Sequence, residues 1–119
     1  MRSRVVALGL TALVIAAACG GAATPASSAS ASAATVDYQG FKANPATIEI
    51  AKGGKLTWTN KDTTTHTVTS GTSRQKDGKF DSGDLAPNAT FSFTFNDAGT
   101  FEYFCSKHSS MNGFTVVVK

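Results

Sequence analysis

After Thr35, apolar side chains recur at every second position in a series of short runs, and that alternation excludes most folds. Ala46-Thr47-Ile48-Glu49-Ile50 alternates, Lys52-Gly53-Gly54 can turn, and Lys55-Leu56-Thr57-Trp58-Thr59 alternates again. Phe91, Phe93 and Phe95 are separated by Ser92 and Thr94, and after Asn96-Asp97-Ala98-Gly99 the same period returns in Phe101, Tyr103 and Cys105. Asn112-Gly113 then leads into Phe114-Thr115-Val116-Val117-Val118. Successive side chains of a strand point to opposite faces, so such runs bury one face and wet the other. No segment holds a helical period. About seven or eight short strands at regular spacing predict an all-β antiparallel sandwich with Greek-key connections. Thr65 to Thr69 reads as one more short strand, with His66 and Val68 on one face and Thr67 on the other. The polar stretch Ser70 to Gly78 reads as an exposed loop. Trp58, Phe91, Phe93, Phe95, Ile48 and Ile50 are the expected core.

The sandwich does not need the whole chain. Arg2 and Arg4 precede an apolar run from Val5 to Ala18, about fourteen residues and too short to cross a bilayer, so residues 1–18 read as an export signal. Cys19 follows Ala16-Ala17-Ala18 and precedes Gly20-Gly21. This resembles a bacterial lipobox, where the cysteine is lipidated and becomes the new N-terminus, although Ala16 stands where an aliphatic residue such as Leu is usual. From Gly20 to Ala34 the chain is Gly, Ala, Ser and Thr with one Pro, a composition unable to bury enough apolar surface to offset its ordering entropy. Residues 19–34 are therefore expected to be a lipidated cysteine and flexible linker, and residues 35–119 the folded domain. That organisation implies an extracytoplasmic, lipid-anchored protein. Of eleven Lys and Arg, two lie in the leader, leaving nine against eight Asp and Glu, a balance of +1. Nothing basic enough for nucleic acid follows, and a monomer is expected.

With Cys19 committed to lipid, Cys105 is left as a lone thiol in an oxidising compartment. Its neighbours supply a reason. Cys105, His108 and Met111 stand in the spacing C-x2-H-x2-M, and thiolate, imidazole and thioether together select copper over magnesium or calcium. A second imidazole could come only from His66, the one other histidine. Periodicity places Cys105 at the end of a strand and His108 and Met111 in the following loop, but does not bring His66 near them.

Asn60-Lys61-Asp62 leading to His66-Thr67-Val68, then Phe80-Asp81-Ser82-Gly83, and Ala98-Gly99-Thr100-Phe101-Glu102-Tyr103-Phe104-Cys105-Ser106-Lys107-His108-Ser109-Ser110-Met111-Asn112-Gly113 together resemble a cupredoxin of the plastocyanin and amicyanin type, over Val36 to Lys119. The resemblance implies a sandwich holding one copper ion that cycles between Cu(I) and Cu(II). It implies His66, Cys105 and His108 as ligands in the copper plane and Met111 on the axis. It further implies a non-enzymatic carrier that shuttles one electron between extracytoplasmic redox partner proteins. Two departures touch the surroundings of the ligands: Thr67 stands where relatives commonly have Asn, and Lys107 and Ser109 stand where they often have proline. By the same resemblance, the backbone N–H groups of Thr67 and Lys107 lie near the Cys105 sulfur.

A copper-delivery or storage protein of the cell envelope could use the same ligands without cycling electrons. A hydrolytic Cys-His enzyme fits less well, because no Asp or Asn is marked to orient His108. A multicopper oxidase or nitrite reductase would need a second metal centre. Phe104, bonded to Cys105, reads as a surface aromatic, with a second electron port as the other option.

Overall fold

The computed structural model describes residues 30–119, so the expected export signal, Cys19 and most of the linker lie outside the described residues. Among the described residues nine strands form two sheets. They are β1 (Ala33–Tyr38), β2 (Ala43–Asn44), β3 (Thr47–Ile50), β4 (Gly54–Asn60), β5 (Thr69–Thr72), β6 (Gln75–Asp81), β7 (Thr90–Phe95), β8 (Gly99–Phe104) and β9 (Phe114–Val118). One sheet runs β2-β1-β4-β7 and the other β3-β9-β8-β5-β6. The pairs β1 with β4 and β3 with β9 are parallel, and the remaining pairs are antiparallel.

The alternation seen in the sequence becomes the two faces of these sheets. In β4, Leu56 and Trp58 are fully buried while Lys55 is exposed, and in β9, Phe114, Val116 and Val118 face inward. Val36 and Tyr38 of β1, Ile50 of β3, Phe95 of β7 and Tyr103 of β8 complete the layer between the sheets. Each such side chain contributes roughly 1.5–3 kcal/mol by leaving water. Trp58 is the hub, packed within 5.4 to 6.4 Å, ring centre to ring centre, of Phe80, Phe91, Phe95 and Tyr103.

Three sequence expectations change. First, β1 starts at Ala33, inside the stretch whose composition suggests a tether. Hydrogen bonds begin still earlier, with the Ala51 N–H donating to the Ala31 carbonyl and Lys55 N–H to that of Ser32. Small residues there add a parallel strand to β4, held by the backbone ladder with Ala34 packed against the core. Second, Thr65–Val68 is not a strand: His66 makes one isolated bridge to Leu85, and pairing resumes only at Thr69. Third, Ser70 to Gly78 is not a loop but most of the hairpin β5–β6. β6 is an edge strand, exposed from Gln75 to Lys79, so it carries no apolar alternation to betray it.

Candidate metal centre

Three connections meet at one pole of the sandwich: the segment after β4, the segment after β6, and the β8–β9 loop. Asn60, at the end of β4 and fully buried, organises the first. Its Nδ2 donates to the carbonyls of Thr64 at 2.8 Å and Leu85 at 2.9 Å, while its Oδ1 accepts from the Asp62 N–H at 3.0 Å. The bridge between His66 and Leu85 then ties the first segment to the second. His66 is wholly buried, so its position follows from packing and backbone pairing together.

Cys105 leaves β8 at this pole, and its loop closes on itself. The Cys105 N–H donates to the Met111 carbonyl at 2.8 Å, and the Met111 N–H to that of His108 at 3.1 Å. Those bonds turn the C-x2-H-x2-M spacing into a compact loop, with Cys105 and Met111 buried and His108 half-buried. The structure therefore supplies what periodicity could not. One donor atom each from His66, Cys105 and His108 lie within 4.8 Å of one another, with Cys105 Sγ 3.8 Å from His66 Nδ1.

The far side of each imidazole is occupied. His66 Nε2 lies 2.9 Å from Asp62 Oδ2, and His108 Nε2 lies 3.2 Å from the Thr65 carbonyl oxygen. Both acceptors favour the tautomer with the proton on Nε2, which leaves each Nδ1 lone pair available to a metal. Burial pushes the Asp62 carboxyl up, but the Phe41 N–H, the His66 ring and the Gly40 N–H outweigh it and hold the group below the ordinary carboxylate range. Burial above all pushes the Tyr38 and Tyr103 hydroxyls well above the usual phenol value, with the nearby Tyr103 and Cys105 adding to the rise at Tyr38, so both stay neutral. Tyr38 donates to the Thr67 carbonyl at 3.1 Å, and its ring meets the His66 ring edge-on.

Thr67 joins the two ligand-bearing segments. Its N–H donates to Cys105 Sγ at 3.3 Å, and its Oγ1 accepts from the Ser106 N–H at 2.8 Å. The residue that departs from the usual pattern thus bonds across the site through its own hydroxyl. Among the described residues Thr67 supplies the one N–H bond to this sulfur; a bond from Lys107 is not made, and the Lys107 ammonium instead pairs with Asp84 at 3.0 Å. Phe104 is buried, not a surface aromatic. Phe41 was not singled out by the sequence. It is exposed, at 42%, and its ring lies 5.3 Å from His66 and 5.1 Å from His108 between centroids.

The sequence profile of the cupredoxin-like domain matches residues 9–118. This chain belongs to the cupredoxin-like domain family. Among relatives of this cupredoxin, amicyanin-alpha of Methylorubrum extorquens is 38% identical over 72 residues, 59% of each chain. The amicyanin of Paracoccus denitrificans is 27% identical over 85 residues, 71% of this chain and 65% of its own. The matched segment thus spans less than two thirds of either relative. In structure, a purple cupredoxin from Nitrosopumilus maritimus superposes with a TM-score of 0.66 at 27% identity, covering 72% of this chain and 99% of its own. The Cu(I) form of a methionine-to-alanine variant of amicyanin gives 0.64 at 26% identity, covering 78% and 88%. The donor set of this cupredoxin fits a copper ion on its own chemistry. A buried thiol and two imidazoles with their remote nitrogens already engaged form a soft, nitrogen-and-sulfur site from which oxygen-seeking cations are disfavoured.

Proposed function

We propose that this cupredoxin is a single-copper electron carrier in which His66, Cys105, His108 and Met111 hold one copper ion. The observation that carries the reading is the convergence of two imidazoles on one fully buried thiol. Bound copper would supply a one-electron Cu(II)/Cu(I) couple. The chain does the rest: Asp62 and Thr65 fix the two rings, the Thr67 N–H draws density from the thiolate, and burial of Cys105 keeps water from its sulfur. Met111, buried at the far end of the loop, is the thioether in reach of the same pole. The exposed Phe41 ring beside half-buried His108 offers redox partner proteins an apolar contact close to the donor atoms. The amicyanin solved in its Cu(I) form supports the choice of metal. Addition of Cu(II) to the purified protein should produce an intense visible thiolate-to-copper absorption that ascorbate bleaches and an oxidant restores. Uptake of copper without that band, or without reversible bleaching, would favour delivery of the metal over electron transfer.

We further propose that residues 1–18 are an export signal, that Cys19 is lipidated, and that the following linker tethers the domain, whose first strand starts at Ala33, outside the cytoplasm. The apolar run ending in Ala16-Ala17-Ala18 directly before Cys19 supports this. Stable attachment needs at least about two lipid chains, which a modified N-terminal cysteine would carry. Cys19→Ala should move the protein from the membrane fraction to the soluble one; equal fractionation of variant and parent would refute the anchor.

A further inference from the structure

The β5–β6 hairpin turns through Ser73 and Arg74, which sit at φ 51° and 62°. Left-handed backbone crowds the Cβ of any residue but glycine, so a two-residue turn of this kind normally takes Asn and Gly. The hairpin is also tight, since a Cβ on Gly71 would fall 1.8 Å from the Gln75 carbonyl oxygen. What this unfavourable choice of residue provides is reach. Arg74 Nη1 donates to the carbonyls of Cys105 at 3.1 Å and His108 at 3.0 Å, and Nη2 donates to that of Ser106 at 3.2 Å. Its guanidinium carbon lies 5.5 Å from the centre of the buried Phe104 ring. Among the described residues no carboxylate forms a salt bridge with it. A half-buried cation is therefore spent on three carbonyls of a loop that has left its sheet.

We propose that Arg74 is a positioning residue for the metal centre: it holds the Cys105–His108 segment in its ligand-presenting shape before metal arrives, and its positive charge favours the reduced site. The planar fork of guanidinium suits several acceptors at once, which one ammonium cannot match. A cation fixed beside the loop also opposes the extra positive charge of the oxidised centre. An arginine that merely fastened a surface hairpin would alter melting temperature and nothing else.

The electrostatic half rests on the copper reading; the positional half does not. Arg74→Gln removes the charge and keeps an amide donor, while Arg74→Lys keeps the charge and loses the fork. In metal-free full-length protein, amide exchange at Cys105 and Met111 should speed up by at least about tenfold in both variants, with exchange at Trp58 unchanged. In copper-loaded protein the midpoint potential should fall for Arg74→Gln and stay closer to the parent for Arg74→Lys. Unaltered exchange at Cys105 and Met111 overturns the positional role, and an unaltered potential in folded Arg74→Gln overturns the electrostatic one. If Arg74→Gln does not fold, Arg74→Lys decides: selective loosening of the loop supports the proposal, and uniform loosening of loop and core refutes it. A parent protein that never develops the thiolate band defeats the copper reading and leaves the metal-free exchange result standing.

Discussion

Asp62 shows how much one side chain can organise. Its two oxygens accept from the Gly40 N–H at 2.7 Å, the Phe41 N–H at 3.0 Å and the His66 ring at 2.9 Å. One carboxylate thus places the apolar Phe41 ring and orients a buried imidazole. The four-residue spacing from Asp62 to His66 was visible in the sequence, but nothing there marked the carboxylate as facing inward. Because the folded state lowers the Asp62 pKa, the unfolded chain takes up that proton first as acid is added, at about pH 3.9. The stability it contributes is complete above the unfolded value and is lost as pH falls through the folded one. Asp62→Asn should therefore be less stable than the parent at about pH 7, and the gap should close as the solution is acidified below the folded pKa. Denaturant titrations of both proteins across that range provide the measurement; a gap independent of pH would mean that the carboxylate charge is not what the loop uses.

At the scale of elements, the strands with long apolar alternation were readable, whereas β1, which opens on small residues, the two-residue β2 and the solvent-facing β6 were not. β3, β4, β7 and β9 announced themselves because each buries alternate side chains, and β8 by its alternating Phe101 and Tyr103, although Phe104 between Tyr103 and Cys105 is buried as well. β6 presents Gln75, Lys76, Asp77, Gly78 and Lys79 to solvent, and its turn has neither Asn nor Gly at its centre. An edge strand of charged residues discourages pairing with other chains, and the same charges make it look like a loop. Its placement nevertheless rests on side chains: the Ser70 hydroxyl bonds to Asp77 and to the Phe80 carbonyl, and Thr69 bonds to Asp81. A hairpin hidden in this way hides Arg74 too, because no local pattern tells where a turn residue 31 positions before Cys105 will point. The ligand loop itself was legible since its chemistry is written in adjacent residues. The position of His66 required the tertiary structure, with 39 residues separating it from Cys105.

For the molecule as a whole, the metal centre is built onto one end of the core. The buried aromatic cluster around Trp58 fills the space between the sheets, and Cys105 and Met111 continue that cluster to the pole where His66 and His108 meet them. That loop pole is braced by protein groups alone: Asn60 through three hydrogen bonds, Thr67 across to Ser106, and the Cys105 N–H to the Met111 carbonyl. Removing metal should therefore lower stability only by the binding free energy coupled to the native state, RT ln(1 + [L]/Kd), which is about 4.1 kcal/mol when free ligand stands at about a thousand times Kd. Cys105→Ala should lose the thiolate absorption entirely yet keep the far-ultraviolet dichroism of a β-sandwich and a cooperative thermal transition. It leaves a small cavity beside His66 and removes the acceptor of the Thr67 N–H, so its melting point should fall below that of the metal-free parent, by an amount that chelation of the parent cannot reproduce. Metal-free parent and Cys105→Ala are to be compared by calorimetry in the same chelating buffer. Loss of the cooperative transition in the chelated parent would show that the metal, rather than the aromatic core, holds the two sheets together.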